Sequence, residues 1–193
     1  LHYPLRRQRQ MCIRDSLSSH LAGPINSFFV GILGKDVSTK FEAPFVEELL
    51  KPLGLVILAA VLLQAEKRSR AKNRGRPIRI DWLKSMKVDY AIGYASGFIF
   101  GVLESWLIYG TFSGLRSVTP FLHATTTGIV GVGIYYVLTG GNRGIVKLIP
   151  LYFLAVLLHS AWNSGSGILR VFFDLPAIII GIVALSRLLV KHQ

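Results

Sequence analysis

Hydrophobic residues run in long blocks separated by short polar breaks, and most blocks have the length of a membrane-crossing helix. A bilayer core about 30 Å thick needs roughly 20 apolar residues at about 1.5 Å of rise each. Blocks of that order lie at about 43–64, 88–109, 121–138, 148–168 and 171–190. A moderately apolar block at 17–33 contains Pro24 and Asn26. The pattern predicts an all-α polytopic transmembrane bundle of about six spans, the first of them truncated or irregular. Residues 34–42 read as a short polar connection. Pro44 suits the first turn of the second span, where a missing N–H costs nothing. Pro52 lies inside that span and predicts a bend, because it removes a helical hydrogen bond. Glycines recur every four residues in the third span (Gly93, Gly97, Gly101), a small-residue face for close helix contact.

The breaks are unequal in charge. Residues 65–87 hold Lys67, Arg68, Arg70, Lys72, Arg74, Arg76, Arg79, Lys84 and Lys87. A basic loop of this kind marks the cytoplasmic side. Alternation of spans then puts 141–147 and the C-terminus on the same side, with Arg143, Lys147 and Lys191. Lys35, Lys40, Arg116 and Arg170 fall on the outer side. The expected location is a multi-pass protein of a prokaryotic plasma membrane.

Composition narrows the class. The chain has 193 residues, 51% of them hydrophobic, and a mean hydropathy of +0.48, which excludes an ordinary soluble domain. A net charge of +12 is compatible with nucleic-acid binding, but cations confined to the breaks fit membrane topology instead, so no nucleic-acid partner is expected. The single Cys12 rules out an intrachain disulfide and a cysteine-rich metal site. Residues 1–16 match nothing around them. The run Met11–Ser16 resembles translated sequencing-adapter sequence, so 1–16 are expected to be a non-native or disordered tail. Residues 17–193 are expected to form one helical domain.

The chemistry lies in polar residues that interrupt the apolar blocks. Glu47, Glu48 and Lys51 sit within five positions of one another in the second span. Each ionisable group at the membrane centre costs about 2.5–3.5 kcal/mol on insertion scales, so such groups face the bundle interior, pair, or do chemistry. Glu104 lies near the outer end of the third span, His123 at the outer start of the fourth, and His159 and Asn163 in the outer half of the fifth. Four helices therefore place their unusual polar groups at one depth. Glu47 with Lys51, Phe100 with Glu104, and His159 with Asn163 are spaced i,i+4 and share a face. Two imidazoles with two or three carboxylates suffice to bind a zinc ion. They also supply a general base and a donor to an oxyanion. Lys51 reads as an electrostatic support for a carboxylate. Trp106, Tyr109 and Trp162 fit an interfacial aromatic belt, and Asp89 and Asp174, near span ends, fit interfacial or structural roles.

The segment Ala43-Pro-Phe-Val-Glu-Glu-Leu-Leu-Lys51, the Phe100-x-x-x-Glu104 spacing, the isolated His123 and the His159-x-x-x-Asn163 spacing occur in this order. Together they resemble the PrsW family of intramembrane proteases, related to the CAAX prenyl protease and bacteriocin-processing membrane enzymes. The resemblance covers about residues 40–168. Two positions depart from it: Pro52, where a small residue is expected after the lysine, and Ser105, where asparagine is common. There is no His-Glu-x-x-His zinc helix and no Gly-x-Gly-Asp of an aspartyl site.

The resemblance implies an intramembrane endopeptidase with catalytic residues among Glu47, Glu48, Glu104, His123, His159 and Asn163. One of the two adjacent glutamates, Glu47 first, deprotonates the attacking water. Glu104, His123 and His159 hold that water directly or through a zinc ion. His159 and Asn163 are alternatively oxyanion donors. Related glutamate-dependent mechanisms need no metal, so the sequence leaves zinc open. The implied substrate is a single-span protein, such as an anti-sigma factor, or a leader peptide, cleaved near the outer face. An ion or proton carrier, or a non-catalytic membrane binding protein, is the alternative; it predicts polar residues strung across the full thickness.

Overall fold

The computed structural model describes residues 24–71, 85–107, 110, 114–165 and 167–190. These are helical almost throughout, with no strand among them. A first helix, α1 (Pro24–Leu33), leads through a short turn (Lys35–Val37) and a π-helical turn (Ser38–Glu42) into α2 (Ala43–Leu50). Lys51 and Pro52 interrupt the helix, which resumes as α3 (Leu53–Ala71). Then come α4 (Met86–Leu107), a 3₁₀ turn (Gly114–Ser117), α5 (Thr119–Gly140) and α6 (Asn142–Asn163). A short turn (Gly167–Leu169) and a second π-helical turn (Arg170–Asp174) lead into α7 (Leu175–Val190).

Among the described residues, three segments are long and apolar enough to cross a bilayer: Thr119–Gly140, Asn142–Asn163 and Gly167–Arg187. The fold class therefore matches the sequence pattern. Among the three, α5 is the centre: 61% of its apolar window is buried, against 22% and 17% for the other two. It is packed by α4 and α6, and further round by α7. Leu55, Val130, Ile134 and Ala155 make one apolar core, and Leu122, Trp162 and Ile178 another beside the polar cluster described below. Large apolar side chains on the remaining faces, including Val146, Leu157, Phe172 and Ile180, point outward. In a chain this hydrophobic, such outward faces suit lipid rather than water.

Glycine sets the distance between α4 and α5. A Cβ on Gly93 falls 2.6 Å from the Thr127 carbonyl oxygen, one on Gly101 falls 2.6 Å from Pro120 Cα, and one on Gly97 collides with the His123 carbonyl. The stripe lets the α4 backbone lie directly against the turn of α5 that carries His123. Membrane helices lack a hydrophobic drive towards each other, so this contact depends on van der Waals fit. At the other end of α5, Gly141 (φ 56°) makes the reversal into α6, a backbone angle that favours glycine.

The structure corrects several boundaries. Residues 34–42, which read as a polar connection, are mostly helical and continue α1 towards α2. The sequence predicts a bend in one helix at Pro52; instead Lys51–Pro52 separate two, since Pro52 has no N–H to offer the Glu48 carbonyl. The Ser96 hydroxyl donates to the Lys51 carbonyl at this break (3.2 Å). Helix α3 runs past 64 to Ala71, into the stretch that reads as the start of the basic loop, and α6 begins at Asn142 rather than 148. Trp162 is buried in the core, where Arg170 donates to its carbonyl (3.0 and 3.2 Å) and lies over its ring. Trp106 is exposed. Asp89 and Asp174 are fully buried, as the structural alternative expects. The expectations for residues 1–16, for Tyr109 and for 72–84 of the basic loop lie outside the described residues.

Candidate active site

Glu47, Glu48, Lys51, Glu104, His123 and His159 come together between α2, α4, α5 and α6. Helix α2 presents Glu47 and Glu48 inward, its buried residues being Ala43, Pro44, Glu47 and Glu48. Lys51 caps α2 in helical conformation, three and four residues after Glu48 and Glu47, so it shares their face. Exposure is 0% for Glu48 and His123, 1% for Lys51, 2% for His159, 7% for Glu47 and 8% for Glu104, so the cluster is shielded and Glu47 and Glu104 are its more open members.

The hydrogen bonds fix a consistent arrangement. Lys51 Nζ donates to Glu48 Oε1 and to His123 Nδ1, both at 2.7 Å. An imidazole that accepts at Nδ1 carries its proton on Nε2, and His123 Nε2 donates to Glu104 Oε2 at 2.9 Å. His159 Nδ1 donates to Glu48 Oε1 at 3.0 Å. His159 Nε2 then presents a lone pair to Glu47 Oε2, 3.8 Å away. These tautomers follow from the network of donors and acceptors. The His123 and His159 rings meet edge to face, with centroids 4.7 Å apart, and Phe100 packs edge-on against His123 at 5.4 Å.

Asn163 stands apart from the carboxylates. One turn beyond His159, its amide donates to the Thr39 carbonyl at 3.0 Å and ties the end of α6 to the first π-helical turn. Glu104 approaches His123 from the side opposite Lys51, as an orienting carboxylate.

Two residues at the cluster carry no strong signal in the sequence. The Thr126 hydroxyl lies 3.0 Å from Glu48 Oε1 and 3.1 Å from the His123 carbonyl. Its i,i+3 spacing from His123 is the available signal, but threonine is unremarkable in an apolar span. Asn26 Nδ2 lies 3.4 Å from Glu47 Oε1, which brings α1 to the edge of the site. Thr126→Val, which keeps the shape and removes the hydroxyl, is expected to lower stability by about 1 kcal/mol, the scale of interhelical hydrogen bonds in membranes. Denaturant titration in detergent measures this.

Two carboxylate oxygens, Glu47 Oε2 and Glu48 Oε2, are buried without a hydrogen-bond partner among the described residues. Glu47, His123 and His159 each offer a ligand atom, and these atoms lie within 4.8 Å of one another. One carboxylate and two imidazoles make a donor set of the kind that binds catalytic zinc. The Glu104–His123 contact is also how an outer carboxylate orients a metal-binding imidazole. The residues present therefore fit a metal ion.

Residues 90–189, a stretch of 100 in a chain of 193, match the sequence profile described as PrsW family intramembrane metalloprotease. The chain belongs to the PrsW family. No curated protein and no solved structure matches it at a significant level. The PrsW match spans Glu104, His123, His159 and Asn163 and starts after Glu47, Glu48 and Lys51. The fold joins the two parts: Glu48 and Lys51 are bonded directly to the two histidines of the PrsW region.

Proposed function

We propose that this PrsW family member hydrolyses a peptide bond of a single-span membrane protein or leader peptide, near the outer face of the membrane. One observation carries the reading. Glu47 Oε2 and His159 Nε2 face each other across 3.8 Å, and both are acceptors. Lys51 Nζ lies 3.5 Å from Glu47 Oε2 without hydrogen-bonding it, and a water molecule with two O–H groups would satisfy both acceptors. In that gap Glu47 is placed to take the proton of the attacking water, while His159 orients it. Glu48 holds His159 through Nδ1, and Glu104 holds His123 through Nε2, so neither ring is free to turn. Glu47, His123 and His159 would hold a metal ion, which would supply a Lewis acid able to bring the pKa of water towards about 7. With Glu47 so engaged, Glu48 Oε2 is the remaining unpartnered acceptor beside it.

The basic stretch 65–87 and the cations of 141–147 support the outer location, because they mark the opposite end of the helices as cytoplasmic. The carrier reading draws on one observation, buried Asp89, whose two oxygens lack partners among the described residues. It lies about 22 Å along α4 from Glu104 at ~1.5 Å per residue. Proteoliposomes containing a single-span substrate separate the two. Cleavage without proton or zinc flux is expected. Flux without cleavage contradicts the proposal.

A further inference from the structure

We propose that the Lys51 ammonium is a resident cation in the place a metal ion would take, so that an ion enters the site only by displacing it. The inference rests on the reading of this cluster as a metal-capable peptidase site and adds a residue that sets metal affinity.

Lys51 Nζ lies 2.7 Å from Glu48 Oε1 and His123 Nδ1 and 3.5 Å from Glu47 Oε2; His159 Nδ1, also at 3.5 Å, carries the proton it gives to Glu48. Of the three residues that present an acceptor to the ammonium, Glu47 and His123 are candidate metal ligands. The decisive atom is His123 Nδ1. Its partner nitrogen, Nε2, is committed to Glu104, so Nδ1 is what His123 has to offer an ion. A ring nitrogen has one lone pair, and here it accepts from Lys51. The ammonium and a metal ion are therefore mutually exclusive at this atom.

The arrangement has a physical logic. Adjacent buried carboxylates without a counter-cation repel each other and are costly to desolvate. Lys51 supplies that charge while no ion is bound, which keeps the ligands gathered. Its unbranched stem lets the head move, and in its present place the ammonium also lies over the Phe100 ring, 4.7 Å from the centroid. The effect is a site that stays ordered when empty and binds its ion more weakly than the same ligands would alone.

Lys51→Met keeps the stem and removes the charge, and Lys51→Arg keeps the charge. Both are purified as full chains in detergent and titrated with zinc against a fluorescent chelator. Lys51→Met is expected to bind zinc about ten- to a hundredfold more tightly than the unaltered chain, the factor for losing a charge-assisted hydrogen bond that competes with the ion. Its melting temperature falls in chelator and recovers with zinc. Lys51→Arg stays at or below the original affinity. Should Lys51→Met not fold, the side-chain ¹⁵Nζ resonance of Lys51 in the unaltered protein shifts on zinc addition, while a lysine of the polar ends does not. Equal or weaker zinc binding by Lys51→Met, or an Nζ resonance unmoved by saturating zinc, overturns the proposal. So does a failure of either protein to bind zinc. None of these results bears on peptide cleavage, which is assayed separately in the unaltered chain and can stand without the metal.

Discussion

Glu47→Gln is expected to cut the rate of peptide cleavage by about 10²–10⁴-fold, the usual contribution of a general base, while leaving the protein folded. The two adjacent glutamates differ in what they hold. Three donors converge on Glu48 Oε1: Lys51 Nζ, His159 Nδ1 and the Thr126 hydroxyl. Removing that charge leaves the buried ammonium with only the looser Glu47 ion pair at 3.5 Å, a loss that approaches that of a broken buried pair, about 3–5 kcal/mol. Glu47 is less committed. It lies 3.5 Å from Lys51 rather than 2.7 Å, and its Oε2 has no hydrogen-bond partner among the described residues. An amide there can still accept from Asn26, so the edge of the site keeps its shape. That amide cannot take a proton from water near neutral pH. Cleavage rates on a single-span substrate, with thermal melts of both variants, separate the two roles. Glu48→Gln is expected to melt earlier, and Glu47→Gln to melt like the unaltered chain.

Gly97→Leu is the second large effect, and it acts without touching a charged group. A Cβ at Gly97 already overlaps the His123 carbonyl, which is backbone and cannot rotate away. Helix α4 must then move off α5, and the 2.9 Å contact between Glu104 and His123 opens. Overpacking of this sort costs about 1–3 kcal/mol or more. The His123 ring also loses its orienting carboxylate, so cleavage is expected to fall by at least about 10–100-fold, the scale for losing an outer partner of a site histidine. Gly31→Leu is the control, because a Cβ there meets nothing within 4 Å. Similar melting and cleavage of Gly97→Leu and the unaltered chain would remove the glycine stripe from the account.

Much of this is readable in the sequence for a simple reason. In a chain with 51% hydrophobic residues, an acid or imidazole inside an apolar block is conspicuous, and Glu47, Glu48, Glu104, His123 and His159 all stand out on that ground. The Gly93, Gly97, Gly101 spacing likewise marks a close helix contact before any coordinates. What the sequence hides is direction. An i,i+4 spacing puts His159 and Asn163 on one face, yet one further helical turn carries Asn163 out to the Thr39 carbonyl. Lys51 reads as a neighbour of Glu47 along one helix. Only the packing of α2 against α5 shows that its head reaches His123, 72 positions away in sequence. Thr126 and Asn26 are ordinary residues whose partners lie on other helices. The buried Asp89 and Asp174 sit near block ends, where periodicity cannot tell an interfacial carboxylate from an enclosed one.

Peptide-bond hydrolysis by the cluster of Glu47, Glu48, His123 and His159 is measured most directly by incubating the purified chain and a Glu47→Ala, Glu48→Ala double variant with a single-span substrate in proteoliposomes. A discrete cleavage product is expected from the unaltered chain and none from the double variant, with both proteins helical by circular dichroism. Cleavage by the double variant at the unaltered rate would contradict it.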